Sequence, residues 1–143
     1  MPRFVLLRHH CPAGSHKASH WDFMLEWGGV LRTWELQVLP NPWRIALRDV
    51  MPTSVGSTST EPVAKVVDAC RLTDHRLAYL DYQGPLSRNR GSVSRCDVGT
   101  YTLASETSDR LEIALAGNRL QGRARLEPDK VRQDHWRLWV GES

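Results

Sequence analysis

The chain of 143 residues contains only three cysteines, Cys11, Cys70 and Cys96, and no two of them are spaced as in a CxxC motif. A small and odd number of cysteines argues against a disulfide framework and favours a reducing compartment such as the cytoplasm. We therefore expect a cytoplasmic protein in which these cysteines are inert packing residues, rather than a disulfide-stabilised secreted domain.

Long hydrophobic runs are also missing. No stretch approaches the roughly 18 apolar residues of a membrane-spanning helix, and the first residues lack the apolar region of a signal peptide. Hydrophobic residues nevertheless make up 41% of the chain, which argues against disorder. We expect a single domain over residues 1–143 that stands alone and has no membrane partner, since this length can bury a core without disulfides.

Lysine is scarce, because only three of the 19 basic residues are lysines and arginine supplies the rest. The net charge is +3 and the pI is about 9.0, which is compatible with nucleic acid or another polyanion as a partner. The planar guanidinium group suits bidentate contacts with phosphate. An ordinary solvated surface has a similar composition, so charge alone leaves both interpretations open.

Short apolar or alternating segments, separated by turn residues, run through the whole chain. This regular spacing predicts an all-β barrel or sandwich. The segment 63–72 fits a helix or a strand by its apolar spacing, and its β-branched residues favour a strand. The predicted strands are 4–10, 20–27, 30–39, 45–50, 63–72, 77–82, 91–104, 110–116, 119–126 and 135–140.

Turn residues mark the connections between several of these strands. Gly28–Gly29 and Gly117–Asn118 are typical of tight hairpin turns. Gly99, within the segment 91–104, indicates a β-bulge. The segment 53–61 is rich in serine and threonine and is predicted to be a mobile loop.

Two histidines and an aspartate near the start of the chain form its most informative pattern. His20 and Asp22 alternate with the aromatic residues Trp21 and Phe23, so one face of the strand is apolar and the other presents an imidazole beside a carboxylate. His9, at the end of the preceding strand, supplies a third donor if the two strands pair. These donors suit Mn²⁺ or another divalent ion, although a strand with polar residues facing solvent has the same pattern.

A second ionisable cluster follows at Asp74, His75 and Arg76, with Tyr79 nearby. A histidine beside a carboxylate and an arginine can donate to a phosphate or act as a general acid. An ordinary surface or capping histidine occupies such a position as well, so the residues alone do not decide its role.

Several groups of residues, taken in chain order, match a known family over nearly the whole chain. They are Phe4-Val5-x-x-Arg8-His9, His20-Trp21-Asp22-Phe23-x-Leu25-Glu26, Gly29-Val30-Leu31-Arg32-Thr33-Trp34, Asp74-His75-x-Leu77-x-Tyr79-x-Asp81-Tyr82-x-Gly84, Gly91-Ser92-Val93, Asp97-x-Gly99-Thr100-Tyr101, Leu120-x-Gly122-x-x-x-Leu126 and Trp136-x-Leu138. Together they resemble the 3′-phosphoesterase domain of bacterial DNA ligase D.

The resemblance implies a fold, an activity and a set of partners. The fold would be a small antiparallel β-barrel with a crescent-shaped active-site groove. The activity would be removal of a 3′-phosphate or a terminal ribonucleoside from DNA 3′ ends in DNA repair, with Mn²⁺ as the metal and Zn²⁺ or Co²⁺ as alternatives. The partners would be DNA 3′ ends in a primer–template or nicked duplex, with a DNA ligase or other end-joining proteins.

The resemblance also assigns roles by position: metal ligation to His9, His20 and Asp22, contact with the scissile phosphate to His75, and a place near the same phosphate to Tyr79. The interval before His20 is longer than in the family. His10 and His16 therefore remain alternatives to His9 as the first ligand.

The chain departs from the family at three polar positions. Met24 and Val67 stand where the family has arginines, and Thr73 stands where it has a glutamate. A methionine cannot hold a phosphate oxygen, so one electrostatic contact is lost. Lys65 or Arg71 lies close enough in sequence to replace the second arginine, provided that Arg71 lies on the correct face of its strand.

Arginines elsewhere are further candidates for phosphate contact. Arg88 and Arg90 lie in a basic loop after Gly84, and with Arg71 they form the predicted nucleic-acid-binding set.

Because the family's arginines are missing, a catalytically degenerate module that binds DNA ends is an alternative function. A zinc-stabilised structural domain is another, and Cys11 beside the histidines could also be a nucleophile. The residues that could bind such a zinc ion are His9, His10, Cys11, His16 and His20.

Overall fold

The protein is described by a computed structural model that covers residues 1–15, 17–50, 65–86 and 90–141. Within these ranges the chain forms nine strands, one short α-helix and one 3₁₀ helix. The strands are β1 (Arg3–His10), β2 (His20–Trp27), β3 (Val30–Leu36), β4 (Val66–His75), β5 (Gly84–Pro85), β6 (Ser92–Thr107), β7 (Arg110–Gly117), β8 (Gln121–Pro128) and β9 (His135–Val140). The helix α1 spans Asn41–Ala46, and the 3₁₀ helix spans Leu77–Leu80.

Antiparallel pairing closes the strands into a barrel. The order around the sheet is β1-β2-β3-β4-β9-β8-β7-β6, and β6 pairs back with β1. β5 adds to the first residues of β6 outside this ring. The structure confirms the predicted all-β class and the small antiparallel barrel, and closure gives each of the eight ring strands a neighbour on both sides.

Each of the eight ring strands contributes one of its faces to the main core, because successive side chains of a strand point to opposite faces. On β2, Trp21, Phe23 and Leu25 are buried in this core. Trp43 of α1 packs against it, with its ring centroid 5.1 Å from that of Phe23. The opposite face of β2 is therefore available for polar residues.

A smaller apolar cluster covers part of the outer face of β1, β2 and β3, and we call it the outer-face cluster. It packs beneath the 3₁₀ helix, which contributes Leu80 and brings Tyr79 to the same face. The buried members of the outer-face cluster are Val5, Leu7, Met24, Leu31, Leu80 and Val93.

The strand predicted at 45–50 is wrong, because this part of the chain belongs to α1 and the turn after it. Pro42 lies in the first helical turn, where its missing N–H group costs no hydrogen bond. Trp43 and Leu47 are buried whereas Ile45 between them is 53% exposed, which is a helical and not a strand pattern, because i, i+2 and i+4 would share one face of a strand.

The strand predicted at 77–82 is also wrong, because the structure has the 3₁₀ helix there. Its backbone bonds run from Tyr79 N to the carbonyl of Arg76 and from Asp81 N to that of Ala78. Leu80, buried in the outer-face cluster, holds this turn against the sheet. The predicted strand at 63–72 corresponds to β4, whereas the loop predicted at 53–61 lies outside the described residues.

The hairpin turn predicted at Gly28–Gly29 is confirmed. The two glycines have φ angles of 61° and 88°, and two successive positive values are what a type I′ hairpin requires. The turn pairs Trp27 with Val30 and so sets the register of β2 against β3. This register decides which polar residues of the two strands lie side by side.

The bulge predicted at Gly99 is wrong, because the register of β6 against β1 shifts at Cys96 instead. Gly99 lies where β6 pairs with both β1 and β7. A Cβ atom there would lie 2.4 Å from the carbonyl oxygen of Ala116 and 2.4 Å from Cα of Gly117. Glycine is needed at this position for close backbone approach, not for a bulge.

No helix among the described residues has both the length and the apolar character that crossing a membrane requires.

Candidate metal centre and phosphate site

The first two histidines meet because β1 and β2 pair in register. His9 and His20 are direct partners across the two strands, and their ring centroids are 4.7 Å apart. Asp22 lies two residues further along β2 and therefore on the same face. Its Oδ1 is 3.3 Å from Nε2 of His20, and its Oδ2 is 3.7 Å from Nδ1 of His9. The structure thus brings the three predicted ligands together.

Hydrogen bonds at the far ring nitrogens orient both imidazoles. Nε2 of His9 lies 2.8 Å from the carbonyl oxygen of Arg90, and Nδ1 of His20 lies 2.9 Å from that of Ala18. A carbonyl oxygen can only accept, so each of these nitrogens carries the hydrogen. In the neutral rings the remaining nitrogens therefore direct lone pairs toward Asp22, as is typical of metal-ligating histidines.

Asp22 is a buried carboxylate with only 4% of its surface exposed. Burial by itself raises the pKa of Asp22, but interactions with His20 and His9, whose rings can donate to it only when they are protonated, outweigh burial and lower the pKa to about 2. Burial lowers the pKa of His20, and contacts with Asp22, the Ala18 carbonyl and Glu35 more than reverse this, so the net shift is upward. The centre therefore attracts positive charge.

One oxygen of Asp22 has no hydrogen-bond partner among the residues that the structure describes. Oδ1 is buried, and in the tautomer set by Ala18 the nearby Nε2 of His20 has no hydrogen to donate. Leaving a buried charged acceptor unsatisfied is costly. A bound cation would remove this cost, and two imidazole nitrogens with a carboxylate form a suitable donor set. The residues therefore fit a divalent metal ion.

Glu35 joins this group, although the sequence analysis did not select it. It is the direct partner of Asp22 across β2 and β3, and its Oε1 is 3.5 Å from Nε2 of His20. Ligand atoms of His20, Asp22 and Glu35 all lie within 4.8 Å of one another. In the sequence, the alternation of Leu31, Thr33 and Glu35 places Glu35 on one face of β3. The register set by the hairpin is also needed to show that Asp22 lies on that same face.

Cys11 belongs to a second group of converging ligand atoms, with His9 and His20. Burial, together with the charges of Asp22 and Glu35, raises the pKa of the Cys11 thiol. A raised pKa disfavours the thiolate and so a nucleophilic role.

His10 and His16 were the two alternatives to His9 as the first metal ligand, and only His10 lies among the described residues. His10 is exposed and pairs with Ser92, and as the residue after His9 it points to the other side of β1. It lies in neither group of converging ligand atoms. His16 lies outside the described residues.

His75 and Tyr79 lie together on the same face of the sheet, but outside the groups of converging ligand atoms. His75 pairs with Leu31, four residues along β3 from Glu35, or roughly 13 Å at the ordinary rise of a strand. Its ring packs edge-on against that of Tyr79 at 5.6 Å. Nδ1 of His75 donates to the carbonyl of Thr73 at 2.9 Å, which leaves Nε2 for another partner.

Comparison with known families identifies the family to which this chain belongs. A family model of the DNA ligase D 3′-phosphoesterase domain matches residues 9–127. The chain belongs to this family. A search of curated proteins returned no match. Membership in the 3′-phosphoesterase family indicates a phosphoesterase with a role in DNA repair.

Two of the positions at which this family member departs from the pattern are buried. Met24, in place of an arginine, is 1% exposed and packs in the outer-face cluster. Val67, in place of the second arginine, is buried in the main core. Thr73, in place of the glutamate, is exposed on β4. The first two changes have therefore become part of the packing.

Arg71, which the sequence offered as a substitute phosphate ligand, is engaged elsewhere. It pairs with Trp34 and stacks on that ring at 5.0 Å, so it shares the face of the main core. Its guanidinium group lies 2.8 Å from Asp74 Oδ1 and donates to the carbonyls of Thr33 and Leu72. The structure does not bring Arg71 to the face that carries Asp22.

The other two arginines of the predicted nucleic-acid-binding set, Arg88 and Arg90, follow β5 in the sequence. Arg88 lies outside the described residues. Arg90 reaches the metal centre through its backbone, because its carbonyl accepts the hydrogen bond from His9. Its position brings a basic residue next to the candidate ligands.

Proposed function

We propose that this family member is a divalent-metal-dependent phosphoesterase that trims DNA 3′ ends, removing a 3′-phosphate or a 3′-terminal ribonucleoside. The observation that carries the metal dependence is the buried carboxylate of Asp22. Its Oδ1 has no hydrogen-bond partner among the described residues, and its Oδ1 and Oδ2 lie near the lone pairs of His20 and His9 respectively. This donor set suits Mn²⁺ and is shared by Zn²⁺ and Co²⁺.

A divalent ion bound there would polarise a phosphate oxygen and lower the pKa of a bound water molecule. Asp22 supplies the negative charge that retains the ion. The carbonyls of Ala18 and Arg90 keep His20 and His9 in the ligating tautomers. These contacts support a centre whose donors are oriented before the ion arrives.

His75 is proposed to act on the phosphate. With its Nδ1 hydrogen donated to Thr73, a protonated ring offers the Nε2 hydrogen to a phosphate oxygen or to the leaving group. Tyr79 packs against the ring and limits its rotation. His75 and the candidate ligands lie on the same face of the sheet, where both can approach one DNA end.

Phosphate release from a 3′-phosphate primer–template in the presence of Mn²⁺ tests this function. We expect Asp22→Ala to abolish release and His75→Ala to slow it by about 10²–10⁴-fold, the usual range for loss of a general acid. Asp109→Ala, which removes an exposed carboxylate in the turn between β6 and β7, is the matched control and should behave like the wild type.

Two other functions are favoured by specific observations. The group His9, Cys11 and His20 suits a zinc-stabilised domain, and the burial of Met24 suits a degenerate module that binds DNA ends. Retained Zn²⁺ whose removal unfolds the protein would favour the first. Binding of the primer–template without product in Mn²⁺, Zn²⁺ or Co²⁺ would favour the second and contradict the enzyme.

A further inference from the structure

Two carboxylates face each other at the candidate metal centre. Asp22 and Glu35 are direct partners across β2 and β3, and their side chains are only 5% and 12% exposed. Like charges placed directly opposite each other destabilise a sheet. This pairing therefore requires a positive charge close to both carboxylates.

His20 increases the need for a positive charge near the two carboxylates. Its Nε2 is 3.3 Å from Oδ1 of Asp22 and 3.5 Å from Oε1 of Glu35. Because Nδ1 donates to Ala18, a neutral ring turns its Nε2 lone pair toward both anions. Three electron-rich atoms that all lie within 4.8 Å of one another are stabilised by a cation among them.

The Glu35 carboxylate is itself held in place. Nζ of Lys17 is 2.7 Å from Oε1, and Nε2 of Gln37 donates to Oε2 at 3.1 Å. Lys17 is 56% exposed and supplies one positive charge to Glu35, so the two carboxylates with Lys17 and a neutral His20 still carry one net negative charge. Ligating carboxylates in metalloproteins are commonly oriented by hydrogen bonds of this kind.

We propose that Glu35 is a fourth protein ligand of the divalent ion, oriented by Lys17 and Gln37. This inference rests on the proposed function, because it requires the metal centre, and it adds a ligand from β3. Two imidazoles and two carboxylates balance the charge of a dication. Their oxygen content favours Mn²⁺, whereas the group that includes Cys11 favours Zn²⁺.

The assignment of Glu35 as a ligand is tested by measuring Mn²⁺ binding to the full chain. Electron paramagnetic resonance detects binding as a loss of the free-ion signal. We expect Glu35→Gln to weaken binding at least about tenfold, and Asp22→Asn to weaken it at least as much. Glu112→Gln is the matched control, because Glu112 lies on β7, on the other side of the barrel from β3. It should leave Mn²⁺ affinity unchanged.

A conservative variant and a second ion separate ligation from structural damage. Glu35→Asp keeps a carboxylate and should bind Mn²⁺ more tightly than Glu35→Gln, with similar melting temperatures for the two metal-free proteins. The absorption spectrum of the Co²⁺ form should lack a thiolate charge-transfer band. Such a band, abolished by Cys11→Ser, would assign the ion to the group with Cys11 and overturn the role of Glu35.

The outcomes distinguish the two proposals. Full Mn²⁺ affinity in Glu35→Gln with loss in Asp22→Asn would overturn the fourth ligand and leave the metal centre intact. Absence of Mn²⁺ binding in the wild type, or full affinity in Asp22→Asn, would remove the metal centre and the proposed function with it.

Discussion

At the scale of single residues, Met24 carries the largest change in chemistry. The resemblance places an arginine at this position, two residues after Asp22, whereas the chain has a methionine that is a buried member of the outer-face cluster. A guanidinium group cannot be buried there without a partner, because an unpaired charge in an apolar site is strongly unfavourable. An unpaired arginine at position 24 is therefore incompatible with the outer-face cluster as it is packed here.

We expect Met24→Arg to lower the free energy of unfolding by more than about 2 kcal/mol, because it places an unpaired charge at a site that is 1% exposed. Met24→Leu is the matched control and should cost less than about 1.5 kcal/mol, since it conserves volume and polarity. Urea denaturation of both variants measures the difference. An arginine variant as stable as the wild type would mean that the side chain can reach solvent and that the cluster is open.

Glu35 and Arg71 show how a residue's role depends on its strand partner. Both belong to the pairing of β3 with β4, one at the centre of the ligand group and the other stacked on Trp34. Sequence spacing alone does not show which of the two lies on the face of Asp22. Their partners across the sheet decide this, since Glu35 pairs with Asp22 and Arg71 pairs with Trp34.

At the scale of elements, β6 closes the barrel. It is 16 residues long, and it pairs with β1 along its first half and with β7 along its second half. The overlap between the two pairings includes Gly99, where neighbouring backbone leaves no room for a side chain. Closure also holds β1 in place, and β1 carries His9.

We expect Gly99→Ala to destabilise the protein by roughly 1–3 kcal/mol, because the added methyl group would overlap backbone atoms that cannot rotate away. Gly141→Ala is the control, since a Cβ atom there would meet nothing closer than 3.6 Å. Thermal unfolding of both variants provides the measurement. Equal melting temperatures would show that the barrel can open at this junction without cost.

At the scale of the whole molecule, arginine dominates the positive charge and the net charge is +3. If the protein binds DNA ends as proposed, part of its affinity comes from release of counterions from phosphates, and binding weakens as salt rises. Arg90 lies beside the candidate ligands, whereas Arg137 lies on β9, across the barrel from β1. The two residues therefore allow a comparison between the two sides of the barrel.

We expect Arg90→Gln to reduce the slope of log affinity against log salt concentration by about 0.9, the value for one lost contact with a duplex phosphate. The substitution keeps the backbone carbonyl that orients His9, so Mn²⁺ affinity should not change. Arg137→Gln should leave the slope unaltered. Fluorescence anisotropy of a labelled primer–template across salt concentrations measures all three slopes, and equal slopes would locate the DNA on another surface.

The eight ring strands of this protein, the Gly28–Gly29 turn and the face shared by His20 and Asp22 were all predictable from the sequence alone. These features depend on an alternation of every second residue or on a single turn, so residues that are close in sequence determine them. Only the tertiary structure decided that residues 41–46 and 77–80 are helical, that Gly99 marks close backbone contact, that Glu35 reaches His20 and that Arg71 does not. Each of these outcomes depends on which distant segment lies alongside, and pairing across a closed barrel is a long-range property that local pattern does not encode.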